Sequence, residues 1–302
     1  MLVLKPVSMR KIWGTERLHA YCGDPSINKV GLVYSASAIS SISNRIDSED
    51  FEERDFHSAV KNNPGKFGLP DDFEEFPIIV SFTAADADLS IQVHPTDGFA
   101  QQNEGKRYGK SESWYFIDAP QSGWIYVGSK EMDKNIISDK MARGDFEDVI
   151  GKKDVKKGDL VFIPSGTLHA LTAGSLVYEI QQSTDITYRF YDFDRLDTDG
   201  HKRELHTRKA IETLRTEQNA TSIEMRLNDE VTESPYTLSL ISMTDKYHND
   251  NDIAQIVTIL EGEYLINQIL ITPGMSIVVF PNETIKITTV NNGKVMVATP
   301  II

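Results

Sequence analysis

The chain has 302 residues, 40% of them hydrophobic and 25% charged, and carries a formal net charge of −14. That length serves two packed units or one large unit with insertions. The acidic balance argues against a general nucleic-acid or anionic-membrane surface, while leaving room for a small anionic substrate held by a few clustered Arg or Lys. Cys22 is the one cysteine, so no internal disulfide can form and a reducing, cytoplasmic compartment is expected. No apolar run reaches membrane length, and the opening MLVLKPVSMRKIWG has no charged-then-apolar leader.

Residues 1–47 read as strand-rich, with GLVYSASAISSIS as the best early strand pair. DSEDFEERDFHSAVKNN predicts a helix capped by Ser48, acidic in its first turn and ended by NPG. Four short β-rich runs follow: FPIIVSFTAA, LSIQVHP, SWYFIDA and GWIYVGS. Between about 130 and 150 the pattern turns helical, with Ile136, Ile137, Met141, Phe146 and Val149 recurring at three- to five-residue spacing. Strands return with DLVFIPSG, SLVYEIQQS and ITYRFYDFD, and LHTRKAIETLR predicts a helix near 205–215. From about 220 the tail is β-rich again: YTLSLISM, QIVTILEGEYLIN, QILITPGMSIVVF, TIKITTV and KVMVATPII. Many short strands with Gly, Pro and Asn turns predict a mainly β chain built of jelly-roll barrels, with inserted helices in the N-terminal part. Alternating βα units with Gly-rich phosphate loops are missing, which excludes a parallel nucleotide-binding sheet.

Two stretches carry the chemistry. In LSIQVHP, strand alternation sends Leu89, Ile91 and Val93 to one side and Ser90, Gln92 and His94 to the other. That is the pattern of a strand lining a wet pocket. In GDLVFIPSGTLHAL, Pro164 and Gly166 fix a tight turn that holds His169 opposite a neighbouring strand. The spacing of glycine, proline and histidine here resembles the second cupin motif. The pair matching the first motif is Gln92 and His94, with Glu112 in GKSESWYFID as the acid. Two imidazoles, one carboxylate and one amide oxygen form a divalent-metal set with room for substrate, for which zinc is plausible chemistry. Two cupin-like barrels are therefore expected, a catalytic one over 1–219 and a metal-free one over 220–302. In the second, PGMSIVVFP carries no histidine after its turn.

From KPVSMRKIWGTERLHAY to RELHTRKAI, and through LSIQVHP, GKSESWYFIDA, GDLVFIPSGTLHAL and EIQQSTDITYRFYDFDRLDTDGHKRELH, the chain resembles type I phosphomannose isomerase in its short bacterial form. The resemblance covers about two thirds of the chain. It implies a zinc-dependent cupin enzyme, one ion per chain, that interconverts mannose 6-phosphate and fructose 6-phosphate through an enediol. It implies Gln92, His94, Glu112 and His169 as metal ligands, Arg189 in the catalytic pocket, and Glu179 as a pocket acid. Lys110 shares a strand face with Glu112 and matches a family pocket lysine. Ser90 and Arg195 are expected to bind substrate. An extended run from Arg189 to Arg195 spans roughly 20 Å, so both can hold one phosphate only if the segment bends. The residues leave open whether Glu179 or a metal-held water moves the proton.

Two family positions differ. Leu32 in GLVY stands where an acid is usual, and Ser81 in IVSFTAA where a lysine is usual. These replacements give weight to a second reading, a sugar-phosphate-sensing cupin without turnover, or an isomerase of altered sugar specificity. A third is an iron-dependent cupin oxygenase, since two His and a carboxylate also suit non-haem iron. His19, His57, His201, His206 and His248 fit no ligand spacing. The expected partner is a small phosphorylated sugar, with no nucleic acid, membrane or obligate protein partner.

Overall fold

The computed structural model describes residues 1–47, 52–197 and 199–302. The chain is mainly β, and none of its described helices is long and apolar enough to cross a membrane. Its contacts divide it into two compact units, one of Met1–Arg10, Glu16–Phe82 and Met225–Ile302, the other of Lys11–Thr15 and Thr83–Glu224. The expected division at 219/220 grouped all of the N-terminal residues with the ligand-bearing segment. The contacts instead group most of residues 1–82 with the tail. The reason is strand pairing: Leu2–Lys5 lies antiparallel to Ser276–Val279, with Leu2 opposite Val278 and Leu4 opposite Ser276.

The first unit contains a seven-stranded sheet whose inner strands are Tyr236–Ile241, Val295–Pro300, Gln255–Ile259, Ser276–Val279 and Leu2–Lys5. A four-stranded sheet, with Thr284–Asn291 and Glu263–Ile266 at its centre, supplies the other wall of the core. Val257, Ile259, Ile277, Val279, Val295 and Val297 from one sheet pack against Tyr264, Ile266, Ile271, Ile285 and Ile287 from the other. Both sets follow the period-2 alternation of β-branched and aromatic residues that buries one face of a strand. The helix expected after residue 48 is shorter than the pattern suggested. It runs Phe56–Asn62 and is capped by Asp55, whose carboxylate accepts from Ser58 N–H at 3.0 Å. The proposed Ser48 cap lies outside the described residues.

The second unit holds the chemistry-bearing strands. Its five-stranded sheet runs Ile150–Asp154, Trp124–Ser129, His169–Ala170, Ile91–Val93, Tyr188–Tyr191. In a further sheet Thr221–Glu224, Asp159–Ile163, Glu112–Asp118 and Leu176–Gln182 are successive neighbours. The helical patterns near 130–150 and 205–215 appear as Lys134–Arg143 and Thr207–Thr213. The run through LSIQVHP yields only a three-residue strand, Ile91–Val93, because Pro95 removes a ladder donor and the chain leaves the sheet.

Candidate metal centre

Three local devices bring the expected ligands together. His169 is the register partner of Gln92 on the neighbouring strand. Gly166 has φ +89°, and its N–H donates to His94 O at 2.8 Å, which ties the PSG turn to the end of the Gln92 strand. Gly109 packs so tightly on the chain after His94 that an added Cβ would lie 2.2 Å from Pro95 O. The next residue, Lys110, donates its N–H to the same Pro95 carbonyl at 2.9 Å. Glu112 then begins its strand beside the two histidines.

His94 Nε2 lies 3.4 Å from Glu112 Oε2, and His169 Nε2 lies 3.2 Å from Glu112 Oε1. One ligand atom from each of the three falls within 4.8 Å of the others, and all three side chains are buried. His94 Nδ1 is 2.9 Å from Ile186 O, and His169 Nδ1 is 2.8 Å from Thr167 O. A carbonyl oxygen only accepts, so each Nδ1 carries the proton and each Nε2 presents a lone pair toward Glu112. Burial, followed by the Lys110 charge, pushes the His94 imidazolium down to about 3, so the ring is neutral and ligand-ready. The Gln92 amide nitrogen lies 3.4 Å from His169 Nε2, and a half-turn of the amide sets Oε1 there instead.

Glu112 is fully buried, and neither carboxylate oxygen accepts a well-directed hydrogen bond. Lys110 Nζ is 2.6 Å from Oε2, close enough for a strong ion pair but out of line for a hydrogen bond. Burial works to raise the Glu112 carboxyl, yet the adjacent Lys110 charge outweighs it and holds it well below the ordinary carboxylate range. An ionised, buried, under-bonded carboxylate between two imidazole lone pairs fits a divalent cation.

Around this set lie the other expected residues. Lys110 Nζ also reaches His94 Nε2 at 3.3 Å and Glu179 Oε1 at 3.4 Å. Glu179 accepts a 2.8 Å bond from the Thr83 hydroxyl. Burial pushes the Glu179 carboxyl up against the opposing pull of Lys110, and the Glu112 charge adds to the rise. Ser90 is buried, with its hydroxyl 3.5 Å from Gln92 Oε1. Arg189 is the register partner of Gln92 on the far side from His169. The segment beyond it does bend, because Phe193 and Asp194 both take left-handed φ values of 56° and 53°. Arg195 is thereby turned back, pairing with Asp192 Oδ1 at 2.6 Å. Ser81 is fully enclosed, and its hydroxyl has no partner among the described residues. Leu32 packs on an apolar cluster of Tyr34, Ile39 and Ile79. His19, His57, His201, His206 and His248 belong to no candidate metal group among the described residues.

Sequence reasoning passed over Thr83 and Arg203. Thr83 follows Ser81 by two residues on the Ile78–Ala84 strand, so alternation places both on one face, and that was the available signal. Arg203 lies in RELH and pairs through Nε with Asp192 Oδ2 at 2.7 Å, a contact that no local pattern announces. A separate hollow of about 170 Å³ is lined by Arg195, Lys202 and Arg203 but by none of the candidate ligands.

Fold and site together define a mainly β protein with a two-histidine, one-carboxylate metal-type centre. No protein-family model matches the chain. Over 215 residues it is 37% identical to a probable mannose-6-phosphate isomerase of Bacillus subtilis, covering 70% of this chain and 68% of that protein. It is 34% identical over 224 residues to the mannose-6-phosphate isomerase of Streptococcus mutans, covering 70% and 67%. The crystal structure of the mannose 6-phosphate isomerase from Bacillus subtilis matches 99% of each chain, with a TM-score of 0.81 and 26% identity. The chain belongs to the mannose-6-phosphate isomerase family.

Proposed function

We propose that this chain interconverts mannose 6-phosphate and fructose 6-phosphate, within a first cupin-like jelly-roll barrel joined to a second, metal-free one. The observation that carries the proposal is the convergence of His94, His169 and an under-bonded, buried Glu112, with Gln92 alongside. Zinc is the proposed ion. When bound, it supplies Lewis-acid stabilisation of the oxygens at C1 and C2, where negative charge develops in the enediol.

The protein's own groups divide the remaining work. Glu179, raised by burial and oriented by Thr83, takes the proton from one carbon and returns it to the other. Lys110 sits between Glu179 and the ligand set and stabilises charge on the substrate oxygens. Arg189, beside Gln92, faces the anionic part of the substrate. Ser90 adds a hydroxyl on the same side as Gln92.

The test is a coupled assay for fructose 6-phosphate from mannose 6-phosphate. Activity is expected to vanish after chelation and to return with added zinc. His94→Ala is expected to abolish it. Full activity in that variant refutes the ligand assignment, and inactivity of the zinc-loaded wild type favours the sensing cupin.

A further inference from the structure

The hollow of about 170 Å³ lies within the second unit, lined by the end of the Lys134–Arg143 helix, the Tyr188–Tyr191 strand and the segment around Arg203. A cavity of about 150 Å³ holds a benzene-sized ring, so this one has room for a single ring. Met141 and Phe190, both buried, give it an apolar floor, and Leu205 adds an exposed apolar side chain to its lining. Its charged lining is mostly cationic. Arg143, Arg195, Lys202 and Arg203 border it, against the carboxylates of Asp192 and Asp194.

Both acids are already engaged. Asp192 Oδ1 accepts from Arg195 Nη2 at 2.6 Å, and Oδ2 accepts from Arg203 Nε at 2.7 Å. Asp194 Oδ1 accepts from Lys202 Nζ at 2.6 Å. Arg203 uses Nε and Nη2 on Asp192, which leaves Nη1 with no described partner. Two guanidinium groups on one buried carboxylate repel each other, and an anion beside them relieves that repulsion. The helix end contributes carbonyls of the opposite sense, but Gly144 N–H caps Met141 O at 3.1 Å, and Arg143 lies in the last turn.

Hollow and metal-type centre meet across one short segment. Arg203, Leu205 and Thr207 line the hollow. The residues between them hold Arg189: its Nη1 donates to Glu204 O at 2.8 Å, and its N–H donates to His206 Nδ1 at 3.2 Å. Its carbonyl accepts from His206 N–H at 2.7 Å. Arg189 itself does not line the hollow and is the register partner of Gln92.

We propose that this hollow binds a small organic carboxylate of one-ring size, and that the bound anion tightens the hold of the Arg203–His206 segment on Arg189. The ring rests on Met141 and Phe190, and the carboxylate meets Arg203 Nη1 and the Lys202 ammonium on its flexible stem. Binding stands on the hollow alone, and its consequence for turnover rests on the isomerase reading. An Arg189 held in place meets the anionic part of the sugar already ordered, which lowers KM.

Benzoate is the probe. Calorimetry on chelated protein is expected to show one site per chain, bound at least tenfold more weakly by Lys202→Met and by Ala142→Trp. Both residues line the hollow with exposed side chains, so neither change is expected to disturb folding. Benzyl alcohol, the uncharged counterpart, is expected to bind at least tenfold more weakly than benzoate. In the coupled assay with zinc, saturating benzoate is expected to lower KM for mannose 6-phosphate at least threefold in wild type and to leave it unchanged in Ala142→Trp. By linkage the sugar phosphate tightens benzoate in turn. No benzoate binding, or binding indifferent to both variants, overturns the site. A wild-type KM that stays flat or rises overturns the coupling to Arg189. A wild type that turns over no hexose phosphate, yet binds benzoate with these dependences, overturns the isomerase reading and leaves the site standing.

Discussion

Replacing Lys110 by Met asks whether an internal cation holds the ligand carboxylate when metal does not. Lys110 Nζ lies 2.6 Å from Glu112 Oε2, and both side chains are almost fully enclosed. At an effective dielectric of about 20, unit charges at that distance attract by about 6 kcal/mol. Desolvation of the two ions offsets part of this. Removing one partner of such a buried pair costs about 3–5 kcal/mol, because the other is left enclosed and uncompensated. Metal-free Lys110→Met protein is therefore expected to lose about 3–5 kcal/mol of stability.

With a divalent cation on His94, Glu112 and His169, the Glu112 carboxylate has a second source of positive charge. The loss is then expected to shrink by about 2 kcal/mol or more. By linkage the variant must bind the metal more tightly by the same amount, roughly 30-fold at about 1.4 kcal/mol per decade. Urea unfolding in chelator and in saturating zinc measures the two losses, and competition with a chromophoric chelator measures the affinity. Equal destabilisation in both conditions, or weaker zinc binding by the variant, refutes the reasoning.

Glu179→Gln is expected to lower kcat by about 10²–10⁴, the usual worth of a positioned base. Because burial raises Glu179 and the base must be ionised, wild-type kcat/KM is expected to climb with pH through a limb above the ordinary carboxylate range. The same limb surviving in Glu179→Gln assigns it to another group. Gly109→Ala sets a Cβ 2.2 Å from Pro95 O and 2.4 Å from Thr96 C, both backbone atoms that cannot swing aside. Calorimetry is expected to show a loss of about 2–4 kcal/mol, with reduced zinc loading, and an unchanged Tm sinks the claim that this contact sets the Lys110–Glu112 strand.

What could be read from the sequence was whatever is encoded within a few residues. Gln92 lies on the Ile91–Val93 strand with His94 just beyond it, and the Pro164–Gly166 turn holds His169, so the resemblance of these stretches to cupin motifs announced the candidate ligand set. The Phe56–Asn62 helix was misjudged at its start because acidic residues before Asp55 mimic a first turn, and the side chain that caps the helix is Asp55. The grouping of Leu2–Lys5 with Ser276–Val279 joins residues more than 270 apart, and alternation within a strand says nothing of which strand it will meet.

Leu32 and Ser81, where the resemblance leads to the expectation of an acid and a lysine, make most sense as one change. Leu32 lies on the Val30–Ala36 strand, next in the sheet to the Ile78–Ala84 strand that bears Ser81. Leu32 packs on the cluster that contains Ile79, and Ser81 is fully enclosed with its hydroxyl unpartnered. A lysine introduced at 81 alone meets no acid from position 32, and an enclosed ammonium without a counter-charge costs several kcal/mol. A glutamate at 32 alone forces a carboxylate against Tyr34, Ile39 and Ile79. Each single reversal is therefore expected to destabilise, and Leu32→Glu with Ser81→Lys is expected to lose less than the sum by at least about 1 kcal/mol. Urea unfolding of the four proteins in the cycle measures that coupling. Strict additivity means that the two positions changed independently, and that the loss of the acid does not explain the loss of the lysine.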